Sequence, residues 1–304
     1  MLRAPHATCA WPRRTALTAL PLLLSLTLAA GAAHAVPETA GAADPRPASP
    51  AAEPEADRKA VAEAAPEARA LPGVTYTAHR GGALEVPENS LSGLTRTFRH
   101  RKADVLDVDV RRLRDGKLVA LHDRTLDRTT NAHGPVKRLT LRQWKRVLIT
   151  PSPKLPGRWK PEHPPTLNQV LRRFGGRTTL LLELKDRKGL KRLSWMLHKK
   201  GLTRSVYVQS NKPRFAVKAH KKGLLTSVWR GPKQIRGDHV ERWTRNVDML
   251  SVDYRARGHD VRRAVASGID RVWSHTVNTR AARDRMLGHG VSGIVTDAPT
   301  RLAR

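Results

Sequence analysis

Short runs rich in Val, Ile, Leu and Tyr recur along this chain with helix-like stretches between them, and that alternation allows few folds. The runs are Val74 to Ala78, Val105 to Val110, Thr179 to Leu184, Val206 to Gln209, Leu225 to Trp229, Met249 to Asp253, Arg271 to Ser274 and Gly293 to Thr296. Helical patterning fills Ser90 to Arg101, Thr166 to Phe174, Leu190 to Lys199, Arg214 to Lys222, Val261 to Ser267 and Thr279 to His289. Strands that alternate with helices lie parallel, because each crossover returns the chain to the same end of the sheet. From the third run onward the repeat is about 20 to 25 residues, and eight such units suit a closed α/β barrel better than an open doubly wound sheet. No Gly-x-Gly-x-x-Gly follows any run, so the usual dinucleotide-binding signal is missing.

One interval breaks the rhythm. About 70 residues separate the second run from the third, including a strand-like Leu118 to Leu121 and a Pro-, Arg- and Lys-rich segment. That segment, about 124–165, is expected to be an insertion between barrel strands 2 and 3 that shapes the substrate entrance.

Not all 304 residues are expected to fold. Residues 1–35 have the arginines Arg3, Arg13 and Arg14, a Leu- and Ala-rich run from about Ala16 to Ala30, and then Ala33-His34-Ala35, the pattern of a signal peptide cleaved after about Ala35. The mature protein is therefore expected to be secreted, with no transmembrane span, since no later stretch is long and apolar enough. Residues 36–70 are mostly Ala, Pro, Glu and Asp and cannot bury enough surface to offset the entropy of ordering. They read as a disordered spacer with a short helix over Arg58 to Ala70. The only cysteine, Cys9, lies in the leader, which excludes disulfides, thiol nucleophiles and thiolate metal sites from the remaining 71–304.

The net charge of +31 belongs entirely to that remaining domain, because the leader's three arginines are balanced by the spacer's excess of three acids. Such a surface is expected to adhere to anionic envelope polymers. A dedicated nucleic-acid site is not expected: zinc-finger spacing and helix-turn-helix grammar are missing, and aromatics for base stacking are few.

Barrel active sites lie at the C-terminal ends of the strands, which makes polar residues ending apolar strands the candidates for chemistry. The first run ends in His79-Arg80-Gly81-Gly82, which brings together a proton carrier, a guanidinium able to hold two phosphate oxygens, and a backbone that a ligand can approach closely. The second carries Asp107-Val108-Asp109 and the third ends in Glu183-Leu184-Lys185, each an i, i+2 pair pointing to one side of its strand. Three carboxylates converging at one mouth repel one another unless some are protonated or a cation sits among them. With oxygen donors alone the cation should be hard: one Ca²⁺ or Mg²⁺, or Mn²⁺. His122-Asp123 closes the strand-like run and supplies a second histidine. Cleaving a phosphodiester needs one group to take a proton and one to give one to the leaving alkoxide.

Taken in order, His79-Arg80-Gly81, Pro87-Glu88-Asn89-Ser90, Asp107-Val108-Asp109, His122-Asp123, Glu183-Leu184-Lys185 and Gly293-Ile294-Val295-Thr296-Asp297-Ala298-Pro299 resemble the motif set of the glycerophosphodiester phosphodiesterase family. The resemblance covers Val74 to Pro299. It implies a TIM-type (β/α)8 barrel with an insertion, binding one divalent cation and splitting glycerophosphodiesters into glycerol 3-phosphate and an alcohol. Carried over by position, it implies His79 and His122 as the acid/base pair, Arg80 as the phosphate clamp and Asp107, Asp109 and Glu183 as metal ligands. Lys185, Glu88, Asn89 and Trp273 would bind substrate or shape its site. Two departures stand out: Asp107 replaces the family's usual Glu, and His275-Thr276-Val277-Asn278 replaces Trp-Thr-Val-Asn after Trp273. Two other readings stay open at this level, a sphingomyelinase or phospholipase D-type barrel and a non-catalytic binder of anionic wall polymer.

Overall fold

A computed structural model describes residues 71–303; the leader, the spacer and the helix expected over Arg58 to Ala70 lie outside the described residues. Among those described, no helix is long and apolar enough to cross a membrane.

The element order is β1 (Thr75–Ala78), α1 (Leu91–Arg99), β2 (Val105–Arg112), β3 (Leu118–Ala120), α2 (Leu141–Trp144), α3 (Leu167–Phe174), β4 (Thr179–Leu184), α4 (Leu190–Lys199), β5 (Val206–Ser210), α5 (Pro213–His220), β6 (Leu225–Arg230), α6 (Pro232–Gly237), β7 (Met249–Asp253), α7 (Gly258–Val265), β8 (Arg271–His275), α8 (Arg280–Gly288), β9 (Gly293–Thr296) and α9 (Pro299–Leu302). Eight parallel strands run β1-β2-β4-β5-β6-β7-β8-β9, and β9 pairs back onto β1, so the barrel is closed. All eight expected strands are present. The short helices α2, α6 and α9 were not legible: α6, for instance, holds one buried apolar side chain, Ile235, too few to show a period.

Local signals set the helix starts. Ser90 accepts from the Gly93 N–H and Thr166 forms a capping box with Gln169, while Pro213 and Pro232 occupy first turns where no N–H partner is lost.

Strand parity then sorts the side chains. Leu106, Val108, Val110, Leu180, Leu182 and Leu184 face outward and pack under α1, α3, α4 and α5. A second layer under α6 to α9 includes Ile235, Val252, Val261, Ala282, Met286, Ile294 and Leu302. The opposite parity fills the barrel, where Val105, Leu181, Met249, Trp273 and Val295 form one plug. A Cβ placed on Gly293 would come within 2.4 Å of Trp273 Cδ1, so the indole occupies the space that glycine leaves.

β3 is antiparallel and takes over the edge of β2 above the point where β1 stops: Thr77 and Ala78 pair with Val105 and Leu106, then Ala120 to Leu118 pair with Val110 to Arg112. The segment after it is ordered around its own small core of Leu113, Val119, Leu121, Leu126, Val136, Trp144 and Val147. The Trp144 indole donates to the Pro164 carbonyl at 2.9 Å and ties the middle of the segment to its end.

Candidate active site

The inward-facing strand ends and the turns after them deliver polar side chains to the barrel mouth. From β1 comes His79, whose Nδ1 lies 2.7 Å from Asp297 Oδ1, on the loop after β9. Its Nε2 points toward Asp107, 3.9 Å from Oδ2. Burial would lower the His79 pKa, but the Asp297 hydrogen bond and the charges of Asp107 and Asp297 outweigh it and raise the pKa. Asp297 is itself fixed by Asn278, whose amide donates to Oδ2 at 2.9 Å and whose Oδ1 accepts from the Asp297 N–H at 2.9 Å.

The next residue, Arg80, has a left-handed backbone (φ 53°), uncommon for a side-chain-bearing residue. The turn aims its N–H at Asp107 Oδ2 (3.1 Å) and its guanidinium at Glu88 Oε1 (3.3 Å) and Asp109 Oδ2 (3.4 Å). Asn89 also lies at positive φ (55°), which Asn tolerates better than most residues. From there its amide clasps Asp109 twice, donating to Oδ2 and accepting from the N–H, both at 2.9 Å. Asn89 is thus the holder of Asp109 and of the loop after β1.

Asp107 and Asp109 from β2 and Glu183 from β4 stand side by side, with Asp109 in register with Glu183. Lys185 reaches between them, 2.9 Å from Asp109 Oδ1 and 2.8 Å from Glu183 Oε2. Glu183 Oε1 accepts from the Trp229 indole at 3.1 Å. The two aspartates diverge in pKa. Burial would raise that of Asp109, but Lys185 and Arg80 hold it well below the usual carboxylate range. Burial, with Asp109 and Glu183 adding to it, pushes Asp107 up to about 7 although His79 opposes the rise. Asp107 Oδ1 is buried with no hydrogen-bond partner.

β3 and the tail of β2 deliver His122. The Arg111 guanidinium donates to its carbonyl, through Nε at 3.0 Å, and Asp123 Oδ1 lies 2.7 Å from its Nδ1. Asp123 therefore holds the imidazole. Arg128 then donates to both carboxylates around it: Nη1 and Nη2 to Glu88 at 2.7 Å each, and Nε to Asp123 Oδ2 at 2.6 Å. A continuous chain of charge pairs therefore joins Arg80, Glu88, Arg128, Asp123 and His122. Beside it a cleft of about 540 Å³ opens between the loop after β1 and residues 149–155, which include Thr150, Ser152 and Leu155.

The structure thus gathers His79, Arg80, Glu88, Asn89, Asp107, Asp109, His122, Glu183 and Lys185 at one mouth. Trp273 is the exception. Read as a substrate-binding residue, it is 0% exposed and belongs to the apolar plug below the mouth, because its position on β8 lies one inward step short of the strand's end. The residue at that end is His275, whose Nδ1 is 3.0 Å from Ser251 Oγ and whose ring meets Trp229 edge-on at 5.6 Å. Burial lowers the His275 pKa to about 4, so it is neutral at physiological pH. Arg128 carried no signal, being one of 57 basic residues; Asp297 was visible only as part of a motif.

Residues 79–301 match the model of the glycerophosphoryl diester phosphodiesterase family. The chain belongs to that family. It is 30% identical over 248 residues to a glycerophosphodiester phosphodiesterase of Bacillus subtilis, covering 74% of this chain and 84% of the relative. It is 26% identical to one from Caldanaerobacter subterraneus, covering 74% and 94%. Among solved structures, a putative glycerophosphoryl diester phosphodiesterase from Silicibacter pomeroyi superposes with a TM-score of 0.65 at 20% identity, covering 75% of this chain and 91% of that one. An Oleispira antarctica phosphodiesterase in complex with the product sn-glycerol-3-phosphate gives 0.63 at 23% identity, covering 76% and 95%. As a member of the glycerophosphoryl diester phosphodiesterase family the protein is a phosphoric diester hydrolase, and the TIM-type barrel is the fold of its structural relatives.

Proposed function

We propose that the protein is an exported, divalent-cation-dependent glycerophosphodiesterase that releases glycerol 3-phosphate by two-histidine acid/base catalysis. The observation that carries this reading is the pairing of each histidine with an aspartate through Nδ1, His79 with Asp297 and His122 with Asp123, which leaves both Nε2 atoms for proton transfer.

The donor chemistry of Asp107, Asp109 and Glu183 fits a hard cation, Ca²⁺ or Mg²⁺, and the unpartnered, buried Asp107 Oδ1 is an oxygen that such an ion would satisfy. As the side chains stand, no three acidic or histidine groups among the described residues already surround one point, since Lys185 lies between two of the carboxylates. Holding an ion there requires the Lys185 ammonium to move aside, and its long flexible stem allows that. When bound, the cation supplies Lewis-acid polarisation of the phosphoryl oxygens.

The chain's own groups divide the remaining work. Arg80 binds two phosphate oxygens, with Glu88 fixing its guanidinium. Lys185 adds positive charge beside the phosphoryl group. One histidine takes a proton from the attacking hydroxyl, either the substrate's own or water's, and the other protonates the departing alkoxide. The cleft beside Glu88 and Arg128 has room for the alcohol portion.

The test is glycerol 3-phosphate release from glycerophosphocholine by the purified protein with Ca²⁺, with Mg²⁺ and with EDTA. Replacing His79 or His122 by Ala is expected to lower turnover at least about a hundredfold with the fold retained. Full activity in EDTA would remove the cation from this reading, and full activity of His122→Ala would remove the two-histidine mechanism.

A further inference from the structure

The charge of this protein is not spread evenly around the barrel. Between His163 and Gly223 there are 16 Lys and Arg against two acids, Glu183 and Asp186. Glu183 is at the mouth, and Asp186 accepts from the Lys188 N–H at 2.9 Å in the turn after β4. The four helices over one half of the barrel, α1, α3, α4 and α5, contain no Asp or Glu at all. Their inner faces share one apolar layer, so their outer faces form one continuous flank. That flank exposes Arg99, Arg172, Arg173, Lys191, Lys199 and Lys218. The other half carries acids on its outer elements, including Glu241 and Asp284.

Two further features mark this flank. Trp195, 54% exposed, stands in the middle of α4, with Arg192 5.9 Å and Lys199 5.1 Å from its ring centroid. At the seam of α1 and α3 an open cleft of about 530 Å³ is lined by Arg96, Arg99, His100 and Arg173, with Glu162 as its one carboxylate. Trp159 lies against Arg96 there, 5.2 Å from ring centroid to guanidinium carbon.

We propose that this flank is a docking surface for a linear polyanion with phosphate in its backbone and no bases, and that it holds such a polymer while the mouth stays free. Charge complementarity selects the class, because neighbouring helices that carry basic residues and no Asp or Glu attract a polymer through release of the polymer's counterions. A lipid surface fits less well: it meets a convex barrel along one or two helices and takes in several apolar side chains, whereas among the described residues Trp195 is the one large apolar side chain this flank fully exposes. A single-stranded nucleic acid needs open aromatic faces for stacking, and here Arg192 and Lys199 already sit over Trp195. The proposal does not depend on the catalytic reading, since none of the flank residues belongs to the mouth.

The experiment measures binding of the full chain to fluorescently labelled inorganic polyphosphate over a range of salt. Phosphatidylglycerol vesicles and oligothymidylate serve as comparison ligands. Two charge-matched triple variants are compared: Arg173→Glu, Lys191→Glu and Lys199→Glu on the flank, and Arg242→Glu, Arg245→Glu and Arg280→Glu on the exposed surface of the other half. The flank variant is expected to bind polyphosphate at least about tenfold more weakly, with a salt slope shallower by about 2, at roughly 0.7 per lost phosphate contact. The control is expected to change affinity less than about threefold, and turnover of a small diester to be unchanged in both. The milder pair Lys191→Gln and Lys199→Gln serves if the reversed flank does not fold. Equal losses in both triple variants would reduce the effect to diffuse net charge and overturn the proposal, as would flank-dependent binding of vesicles or oligothymidylate in preference to polyphosphate.

Discussion

Replacing Arg128 by Ala tests whether the chain of charge pairs between Arg80, the proposed phosphate clamp, and His122 works as a unit. Arg128 is 49% exposed on its side chain, so its pairs with Glu88 and Asp123 are discounted to between 0.5 and 1 kcal/mol each, about 1.5 kcal/mol together. For a domain of this size that corresponds to a fall in Tm of roughly 3 to 6 °C. The catalytic effect should be larger. Without Arg128, Glu88 loses two charge-assisted hydrogen bonds and Asp123 loses the group that fixes its second oxygen, so both Arg80 and the His122 imidazole gain freedom. A misplacement on the ångström scale lowers kcat by about 10- to 100-fold.

The pH profile separates positioning from a general loss of stability. Arg128 is the main group holding Asp123 down to about 2, so without it the Asp123 pKa rises, yet the carboxylate stays ionised near neutrality. With its negative charge no longer shared with a guanidinium, Asp123 stabilises the His122 imidazolium more, and the His122 pKa rises. The limb of kcat against pH that reports His122 should therefore move to higher pH. Arg128→Lys, which keeps the charge but not the fork, should recover only part of the loss. Steady-state assays across pH decide the matter: unchanged kcat and unchanged limbs in Arg128→Ala would refute the coupling.

Three further outcomes follow from the same geometry. Asp297→Asn removes the charge that raises the His79 pKa, so the limb reporting His79 should shift to lower pH while the fold, followed by circular dichroism, is retained. Gly293→Ala drives a methyl into Trp273 and should cost about 1 to 3 kcal/mol by overpacking, read as a lowered Tm. Burial raises Asp107 to about 7, so the cation proposed to bind there would have to displace its proton at lower pH; calcium affinity should then fall by up to about tenfold for each pH unit below 7 and level off above it. Calorimetric titration at several pH values checks that sign.

The sequence by itself determined the barrel and most of the mouth, because both depend on short-range geometry. Alternation of strand and helix is written locally, and the pleat of a strand puts residues i and i+2 on one side wherever the strand ends up. Asp107 with Asp109, and Glu183 with Lys185, could therefore be placed together before any strand was paired. Trp273, placed at the site by the resemblance alone, lies below it, since parity says that a side chain points into the barrel but not how deep it lies. Depth depends on the stagger of neighbouring strands, which only closure of the sheet decides. Closure also brought Asp297 to His79 across 218 residues and let β3 ride on the free edge of β2, which lifts His122 into the mouth. The Arg128 bridge needed more still: an insertion folded around its own core, holding one arginine of many between two carboxylates from different loops. Such contacts leave no periodic trace in the chain, because they join segments whose spacing is set by the fold rather than by the backbone's own repeat.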